Sequence, residues 1–388
     1  MPSMAIANGS LWLHRDGQAP QALRSPFAEE VIQRDANSRR TSSWKHAPRE
    51  QSSGVIPAAS LWGAGQGGPM APPRFLYACE AGDARTLYYL LNVGQATALL
   101  RQTLDDGHEV RVFHRSKQRC HGMAFDTGEQ RLVMAFEQDD GTAHLEVFDT
   151  EGNRKGMATD GDCIDAAPCI VPGAASTLVY QSTGVARHAE SGHVVGAGQT
   201  VVNSLDYRRG EMQTLLDDKR YDFVAPRVAA DGALYAIRRP ALPPVGERAG
   251  SAAKDAVLMP LRLAKAVFGY LNFFSMIYGK EPLRSAGGPR TPALDQDLGR
   301  LWLHGRMIEL SQVKNDPQLG GNLVPRSWEL VRRANDGTVT VLADHVAAYT
   351  LAADGSVLLT NGYDLAALHG SDRRTLARHE LIEWVGAF

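Results

Sequence analysis

Apolar positions along the chain fall in short runs separated by polar turns, most plainly in Arg131–Gly161, RLVMAFEQDDGTAHLEVFDTEGNRKGMATDG. Arg131 to Glu137 is mostly apolar, and Gln138-Asp139-Asp140-Gly141 punctuates it. Ala143 to Asp149 alternates more loosely, and Thr150-Glu151-Gly152-Asn153 punctuates again before a weaker, edge-like run. Aliphatic and aromatic runs bounded by Asp-Gly and Glu-Gly predict antiparallel hairpins. A further strand, Cys120 to Phe125, precedes them and ends in the turn Asp126-Thr127-Gly128. Four such strands in about 40 residues is the size of one propeller blade. A single blade cannot bury both faces, so the pattern predicts neighbours.

The neighbours can be followed in order. MAIANG, SLWLHRDG and QAPQAL give three strands and lack an opening one. The next unit is read as opening at Phe27-Ala28-Glu29-Glu30-Val31-Ile32 and resuming after a break with RFLYACEAGD, RTLYYLLNVG and QATALLRQT. The unit containing Arg131–Gly161 follows, then CIDAAPCIVPGA, STLVYQSTG, TVVNSLDYRRG and EMQTLLDDK. YDFVAPRVAADG and ALYAIRRPAL open a fifth unit, which recovers after an insertion at SWELVRRANDG and TVTVLADH. VAAYTLAADG, SVLLTNGYD, LAALHGSD and RRTLARH complete the next. The C-terminal run Glu380–Phe388 resembles an opening strand with no unit of its own, and it supplies what the N-terminal segment lacks. The prediction is an all-β chain, one six-bladed β-propeller over residues 1–388, closed by strands from both ends. The Asn-Gly turns at Asn8-Gly9 and Asn361-Gly362 fall at matching places. Closure of this kind removes the exposed sheet edges that a long all-β chain must otherwise protect.

Ala229-Ala230-Asp231-Gly232-Ala233-Leu234-Tyr235-Ala236 and Ala352-Ala353-Asp354-Gly355-Ser356-Val357-Leu358-Leu359 resemble the SPDG-plus-strand signature of TolB-like, WD40-like propellers. Asp126–Val133 is a looser copy, Pro172-Gly173 replaces the Asp-Gly in the fourth unit, and the leading serine and proline are absent throughout. The resemblance implies the propeller fold and no particular activity. The plan of a lone ring is also similar to the stand-alone propellers of bacterial systems with MoxR-type ATPases and von Willebrand A proteins.

Two departures from the repeat mark where binding is expected, since repeat proteins enlarge loops on functional faces. The larger is an insertion over residues 241–325, with a predicted apolar helix at about 260–278. Pro260 suits its first turn and Gly279 the position after its end. Arg262, Lys265, Gly269, Asn272 and Ser275 form one narrow polar stripe. The rest, including Leu263, Val267, Phe268, Tyr270, Phe273, Phe274, Ile277 and Tyr278, is apolar and needs cover on most sides. At about 1.5 Å per residue it would reach roughly 28 Å, close to the thickness of a bilayer core. Packing on its own ring, docking to a protein partner, lying in a membrane surface and spanning a membrane all remain open. Beyond it, Leu301–His304 and Met307–Leu310 suit a hairpin or a short helix. The smaller departure, residues 37–73, is a long low-complexity loop with local positive charge and two aromatic anchors, Trp44 and Trp62. It is either a surface loop or a partner-binding arm.

Composition changes little in this picture. The chain has 388 residues, 44% hydrophobic, with a formal net charge of −2, which argues against a general nucleic-acid binder. The N-terminal MPSMAIANGSLWLHRDG shows no basic region followed by an apolar core, and the four cysteines are spread without a CxxC, so a reduced cytoplasmic setting is expected. A zinc site from Cys120, His121, Cys163 and Cys169 is poorly spaced, and no metal or cofactor is predicted.

No GxSxG, HExxH, P-loop or strand-borne GxGxxG is present. Propeller enzymes place acids and metal ligands where innermost strands meet the channel. Glu30, Asp162, Asp165, Asp222, His345 and Glu383 are the candidates for that rim. They form either a hydrated polar rim or a hard-metal site; Asp160-Gly161-Asp162 is similar to a calcium loop but lacks the downstream ligands. The function expected is a protein-interaction scaffold in a bacterial multi-protein system. A metal-dependent propeller hydrolase or lactonase, and a peripheral membrane protein, are the alternatives.

Overall fold

The computed structural model describes residues 2–42, 71–94, 96–116, 118–187, 194–242 and 300–388. Blade 1 contains β1 (Ser3–Ala7), β2 (Ser10–His14) and β3 (Gln21–Ala22), with β26 (Ile382–Ala387) innermost. Blade 2 is β4 (Arg74–Glu80), β5 (Thr86–Val93), β6 (Ala96–Thr103) and β7 (Glu109–Ser116). Blade 3 is β8 (Cys120–Asp126), β9 (Arg131–Glu137), β10 (Ala143–Asp149) and β11 (Arg154–Met157). Blade 4 is β12 (Cys163–Ile170), β13 (Thr177–Arg187), β14 (Val194–Asp206) and β15 (Glu211–Leu216). Blade 5 is β16 (Tyr221–Val228), β17 (Leu234–Pro240), β20 (Glu329–Arg333) and β21 (Val339–Ala343), interrupted by the hairpin β18 (Arg300–Leu303) and β19 (Arg306–Glu309). Blade 6 is β22 (Ala348–Leu351), β23 (Val357–Thr360), β24 (Asp364–His369) and β25 (Asp372–Arg378).

The innermost strands touch in succession, β4 to β8, β12, β16, β22, β26 and back to β4, so the ring closes around a channel. Closure is made by antiparallel pairing of β1 with β26, Met4 opposite Gly386 and Ile6 opposite Trp384. Each seam between blades holds one apolar cluster. Leu87, Tyr89 and Leu11 join blades 1 and 2; Tyr88, Phe125 and Phe136 join 2 and 3; Leu145, Tyr180 and Leu205 join 3 and 4. Val179, Phe223 and Val331 join 4 and 5; Val224, Trp328 and Tyr349 join 5 and 6; Ala5, Leu358 and Val385 close 6 onto 1. A fully buried side chain of this size contributes about 1.5–3 kcal/mol, so the seams supply most of the cohesion that single blades lack.

The polar turns repeat one design. In Gln138–Thr142, Ala229–Ala233, Ala334–Thr338 and Ala352–Ser356, the glycine amide donates to the first carbonyl. In each, the carboxylate before the glycine accepts from the amide two residues beyond itself. The glycines Gly141, Gly232, Gly337 and Gly355 have φ near +85°, where an L side chain is strained. Asn8-Gly9 is a two-residue turn with both φ values positive, joining Ala7 to Ser10. Asn361-Gly362 differs: the Asn361 side-chain Oδ1 accepts from the amides of Tyr363 and Asp364 in a longer loop.

The opening strand expected at Phe27–Ile32 is instead part of a helix, α1 (Pro26–Ser42). Pro26 occupies its first turn, and the Ser25 hydroxyl accepts from the Ala28 amide at 3.2 Å, a helix start. The helix packs outside blade 2, where Glu109 of β7 accepts from the Phe27 amide at 2.8 Å. The opening strand of that blade is β4. The loop expected from residue 37 therefore begins with the end of α1, and Trp44 and Trp62 lie outside the described residues.

Of the 241–325 insertion, the described part is the β18–β19 hairpin, a short helix α2 (Leu310–Val313) and a 3-10 turn at Pro317–Leu319. Leu263, Val267, Phe268, Tyr270, Phe273, Phe274, Ile277 and Tyr278 lie outside the described residues. Among the described residues, no helix is long and apolar enough to cross a membrane.

Candidate functional site

The opening strands are not regular. One extra residue is inserted in β4 between Phe75 and Tyr77, in β8 between Cys120 and Met123, and in β12 between Ala166 and Cys169. The same occurs in β16 between Val224 and Arg227, and in β26 at Glu383. Bulges re-aim side chains, and these turn polar groups onto the channel wall. The kinks also bring the strands close: a Cβ on Gly122 would lie 2.7 Å from the Ala167 amide nitrogen. Ala167 and Ala225 carry the positive φ of the bulge, and the Ala225 amide donates to Gln181 Oε1 at 2.8 Å across the seam.

Five of the innermost strands carry Glu383, Tyr77, Cys120, Cys169 and Arg227 at or beside these bulges, and the regular β22 adds Tyr349, which also packs in the seam between blades 5 and 6. Their fields are coupled: Cys120, Glu383 and Arg227 act on Tyr77, while Arg227 and Cys169 act on Tyr349. Burial is the dominant influence. It drives the Tyr77 and Tyr349 phenols well above the ordinary range, and raises the Cys120 thiol to about 12. Neither the phenols nor that thiol ionises near neutral pH, so the wall offers donors rather than nucleophiles. Tyr77 and Arg227 keep partial surface although protein surrounds them, as expected for groups facing a narrow channel. Arg227 donates to the Pro226 carbonyl at 2.8 Å. Tyr349 Oη is buried with no partner among the described residues.

The insertion returns to this wall. His304 and Gly305 form the two-residue turn of the β18–β19 hairpin, both with positive φ. The His304 ring bonds the Ala347 carbonyl at 2.9 Å, and Arg239 donates to the His304 carbonyl at 2.8 Å. Enclosure, then the charges of Arg239 and Arg227, depress the imidazole to about 4, so it is neutral at physiological pH. Arg306 donates to Asp222 at 2.8 Å and to the Pro240 carbonyl, and Arg239 lies 3.5 Å from the same carboxylate and over the Trp328 ring. The hairpin tip is thus bolted to blades 5 and 6.

The six residues expected at the rim fall in separate surroundings. Glu30 lies on α1, outside the ring, paired with Arg34 at 2.6 Å beside an open groove of about 630 Å³. Asp222 belongs to the arginine clamp just described. Glu383 pairs with Arg74 at 2.5 Å; burial raises its carboxyl and Arg74 opposes that shift. Asp162 is exposed and pairs with Arg187, which also binds Asp140. His345 Nδ1 lies 2.9 Å from the Val324 carbonyl, holding the chain that leads from the insertion into blade 5. Asp165 turns away into the seam between blades 3 and 4.

There it meets two residues that the sequence spacing did not unite with it. His144 Nδ1 lies 3.8 Å from Asp165 Oδ2 and 4.0 Å from Cys163 Sγ, and Cys163 Sγ lies 3.4 Å from Asp165 Oδ2. Among the described residues this is the one group of three or more His, Cys, Asp or Glu side chains arranged to share a metal ion. Cys120, His121 and Cys169 are not part of it. Burial, reinforced by Asp165, pushes the Cys163 thiol up to about 12, which argues against a nucleophilic thiolate.

Ring closure, six seams and a bulged inner wall define a β-propeller, and its fold is TolB-like. No protein-family model matches the chain, and no curated protein matches it in sequence. The solved structure of TolB from Acinetobacter baumannii is similar with a TM-score of 0.50 and 10% identity, covering 98% of this chain. This chain spans only 64% of that TolB. A protein of Agrobacterium tumefaciens assigned to TolB is similar at TM-score 0.45 and 12% identity, over 82% of this chain and 91% of its own. The tricorn protease is similar at TM-score 0.46 and 11% identity, over 99% of this chain and 34% of its own. At such identities the likeness concerns the fold alone.

Proposed function

We propose that the chain is a non-enzymatic interaction platform that holds a protein partner at the mouth carrying the 241–325 insertion. The observation that supports this most is the pairing of the charges there: Glu383 with Arg74, Asp222 with Arg239 and Arg306, and Asp162 with Arg187. A channel hydrolase needs carboxylates or metal ligands converging on one point, and these carboxylates are held apart on separate counter-ions. Rigid, neutralised rims suit recognition, where specificity comes from shape and a few anchors. By sequence the anchors are Phe268, Tyr270, Phe273, Phe274 and Tyr278 of the insertion, with Trp44 and Trp62 of the second departure. A cytoplasmic bacterial assembly is the setting this reading favours.

The test is affinity purification of the tagged full chain from its native cell, beside a variant lacking residues 260–279 that circular dichroism shows to be folded. A partner identified in the first and then purified should bind the wild type directly, and the deletion should weaken that binding at least roughly a hundredfold, the loss of two or more hot-spot anchors. Equal binding by both proteins, or no partner for a folded wild type, overturns the reading. Flotation of the wild type with anionic liposomes, lost in Phe273→Ser/Phe274→Ser, would instead assign the insertion to a membrane surface.

A further inference from the structure

We propose that His144, Cys163 and Asp165 form a zinc site that staples blade 3 to blade 4. The ligands come from two blades. His144 is the second residue of β10, while Cys163 and Asp165 belong to the start of β12, where Ala143 and Ile164 make the parallel pair joining the two blades into one eight-stranded sheet.

The hydrogen bonds around the histidine set its tautomer. The Thr142 hydroxyl donates to Asp140 Oδ1 at 2.6 Å, so its oxygen is left to accept, and the group 3.0 Å away is His144 Nε2. Nε2 therefore carries the hydrogen, and Nδ1 presents its lone pair to Cys163 Sγ and Asp165 Oδ2. A lone pair facing a carboxylate is repulsive; the Cys163 thiol donates its one hydrogen to Asp165 Oδ2 at 3.4 Å and so leaves Nδ1 unserved, whereas a cation among the three atoms satisfies all of them. A proton on Nδ1 does not meet the need as placed, because 3.8 Å is beyond hydrogen-bond length. Two of the three groups are buried and the third, Cys163, is half-buried: His144 is 5% and Asp165 1% exposed, and Asp165 Oδ1 has no partner among the described residues. An unpaired carboxylate oxygen this deep is costly unless the group is neutralised.

The spacing is close to that of a bound ion, with two separations inside the expected range and the His144–Cys163 one about 0.2 Å beyond it. A tetrahedral zinc holds its ligands at roughly 2.0–2.3 Å, which places neighbouring ligand atoms roughly 3.3–3.8 Å apart. The three separations here are 3.4, 3.8 and 4.0 Å. One imidazole, one thiol and one carboxylate favour zinc over calcium or magnesium, which take oxygen ligands. The Asp140–Thr142–His144 chain is the outer support that orients a metal-bound imidazole, and Arg187 secures Asp140 from the far side at 2.7 Å. Three protein ligands leave one coordination position for water or a donor from elsewhere.

The test uses the purified full chain, stripped with chelator, reloaded with zinc and desalted, with metal measured by mass spectrometry. One zinc per chain is expected, and cobalt in its place should show the thiolate-to-metal absorption band. Cys163→Ser should lose that band and bind zinc at least tenfold more weakly. Cys169→Ser, a thiol outside the trio, should keep both properties. Thr142→Val should lower zinc affinity roughly 10- to 100-fold while keeping the band. Zinc should raise the melting temperature of the wild type and not that of Cys163→Ser. A wild type that retains no zinc and gives no thiolate band with cobalt overturns the proposal, whatever the variants do. So does a Cys163→Ser protein that binds as the wild type does.

Discussion

Asp126 carries an unusual share of one seam. It is 1% exposed, and its carboxylate accepts from the amides of Gly128 and Glu129, the Ser176 amide and the Tyr207 hydroxyl. The first two shape the turn after β8; the last two reach across to blade 4. Asp126→Asn keeps the size but replaces one acceptor oxygen by a donor, leaving two buried donors facing an N–H group. Urea unfolding should show a loss of about 2–4 kcal/mol. A loss below about 0.5 kcal/mol, the scatter of surface substitutions, would show that the carboxylate does not hold the seam. His14 makes a second test. It is buried, its Nε2 has no partner among the described residues, and the His379 ring stands edge-on 5.3 Å away. Burial, then His379, lowers its imidazole to about 4. The folded state therefore keeps His14 neutral where the unfolded chain, near 6.5, takes up a proton. Stability attributable to His14 is complete above about pH 6.5, is lost as pH falls, and levels off below about 4. His14's share should be roughly 2–3 kcal/mol, read as the part of the difference in urea stability between pH 7 and pH 4 that His14→Leu removes; His304, likewise depressed to about 4, keeps its own share.

At the scale of elements, strands were legible wherever an apolar run met an Asp-Gly or Asn-Gly turn, because glycine's positive φ and the aspartate's bond to the following amide are local chemistry. Arg131–Gly161 is the plain case. The C-terminal strand is legible instead by its likeness to the opening strands, and Leu301–Leu310, which suits a hairpin or a short helix by sequence, forms a hairpin about His304-Gly305. The helix α1 was not legible. Phe27, Val31 and Ile32 resemble a strand opening, yet Ser25-Pro26 is a helix start, and the repeat logic obscured it. The channel-rim candidates were found by position at opening strands, but one-residue bulges decide which side chains enter the channel, and no sequence period announces a bulge. The His144 trio was hidden for a related reason: its members lie on different blades, and Cys163 was considered with Cys120 and Cys169 by residue type rather than by seam. The orphan strand gives the sharpest test at this scale. Removing residues 382–388 deletes β26, leaves β1 as an open inner edge and strips Ile382 and Val385 from the closing cluster. The truncated chain should aggregate or unfold far below the wild-type temperature in a thermal scan, since an exposed apolar strand edge templates association. A monomeric protein with an unchanged melting temperature would show that closure is not what holds the ring.

For the whole molecule, closure by strands from both ends makes the site of the chain break arbitrary. Every blade touches two others, and six clusters of similar make-up share the burden, so no blade is a natural first casualty. The ends themselves are close: Ser3 is opposite Ala387 in the β1–β26 ladder. A short Gly-rich linker from Phe388 to Met1 would turn that pair into an ordinary hairpin, and new ends can be opened within residues 43–70, between α1 and β4. In that permutant β26 and β1 become neighbours in sequence, so the closing pairing no longer has to find its partner across the full chain length. It should fold to a ring of wild-type spectrum and at least wild-type stability, and it should refold faster from urea, because the longest-range contact has become the most local one. Equal stability with unchanged refolding would place the slow step in forming the seams rather than in closing them. A permutant that fails to fold would mean that the continuity of residues 43–70 supports the ring in a way its strand order does not require.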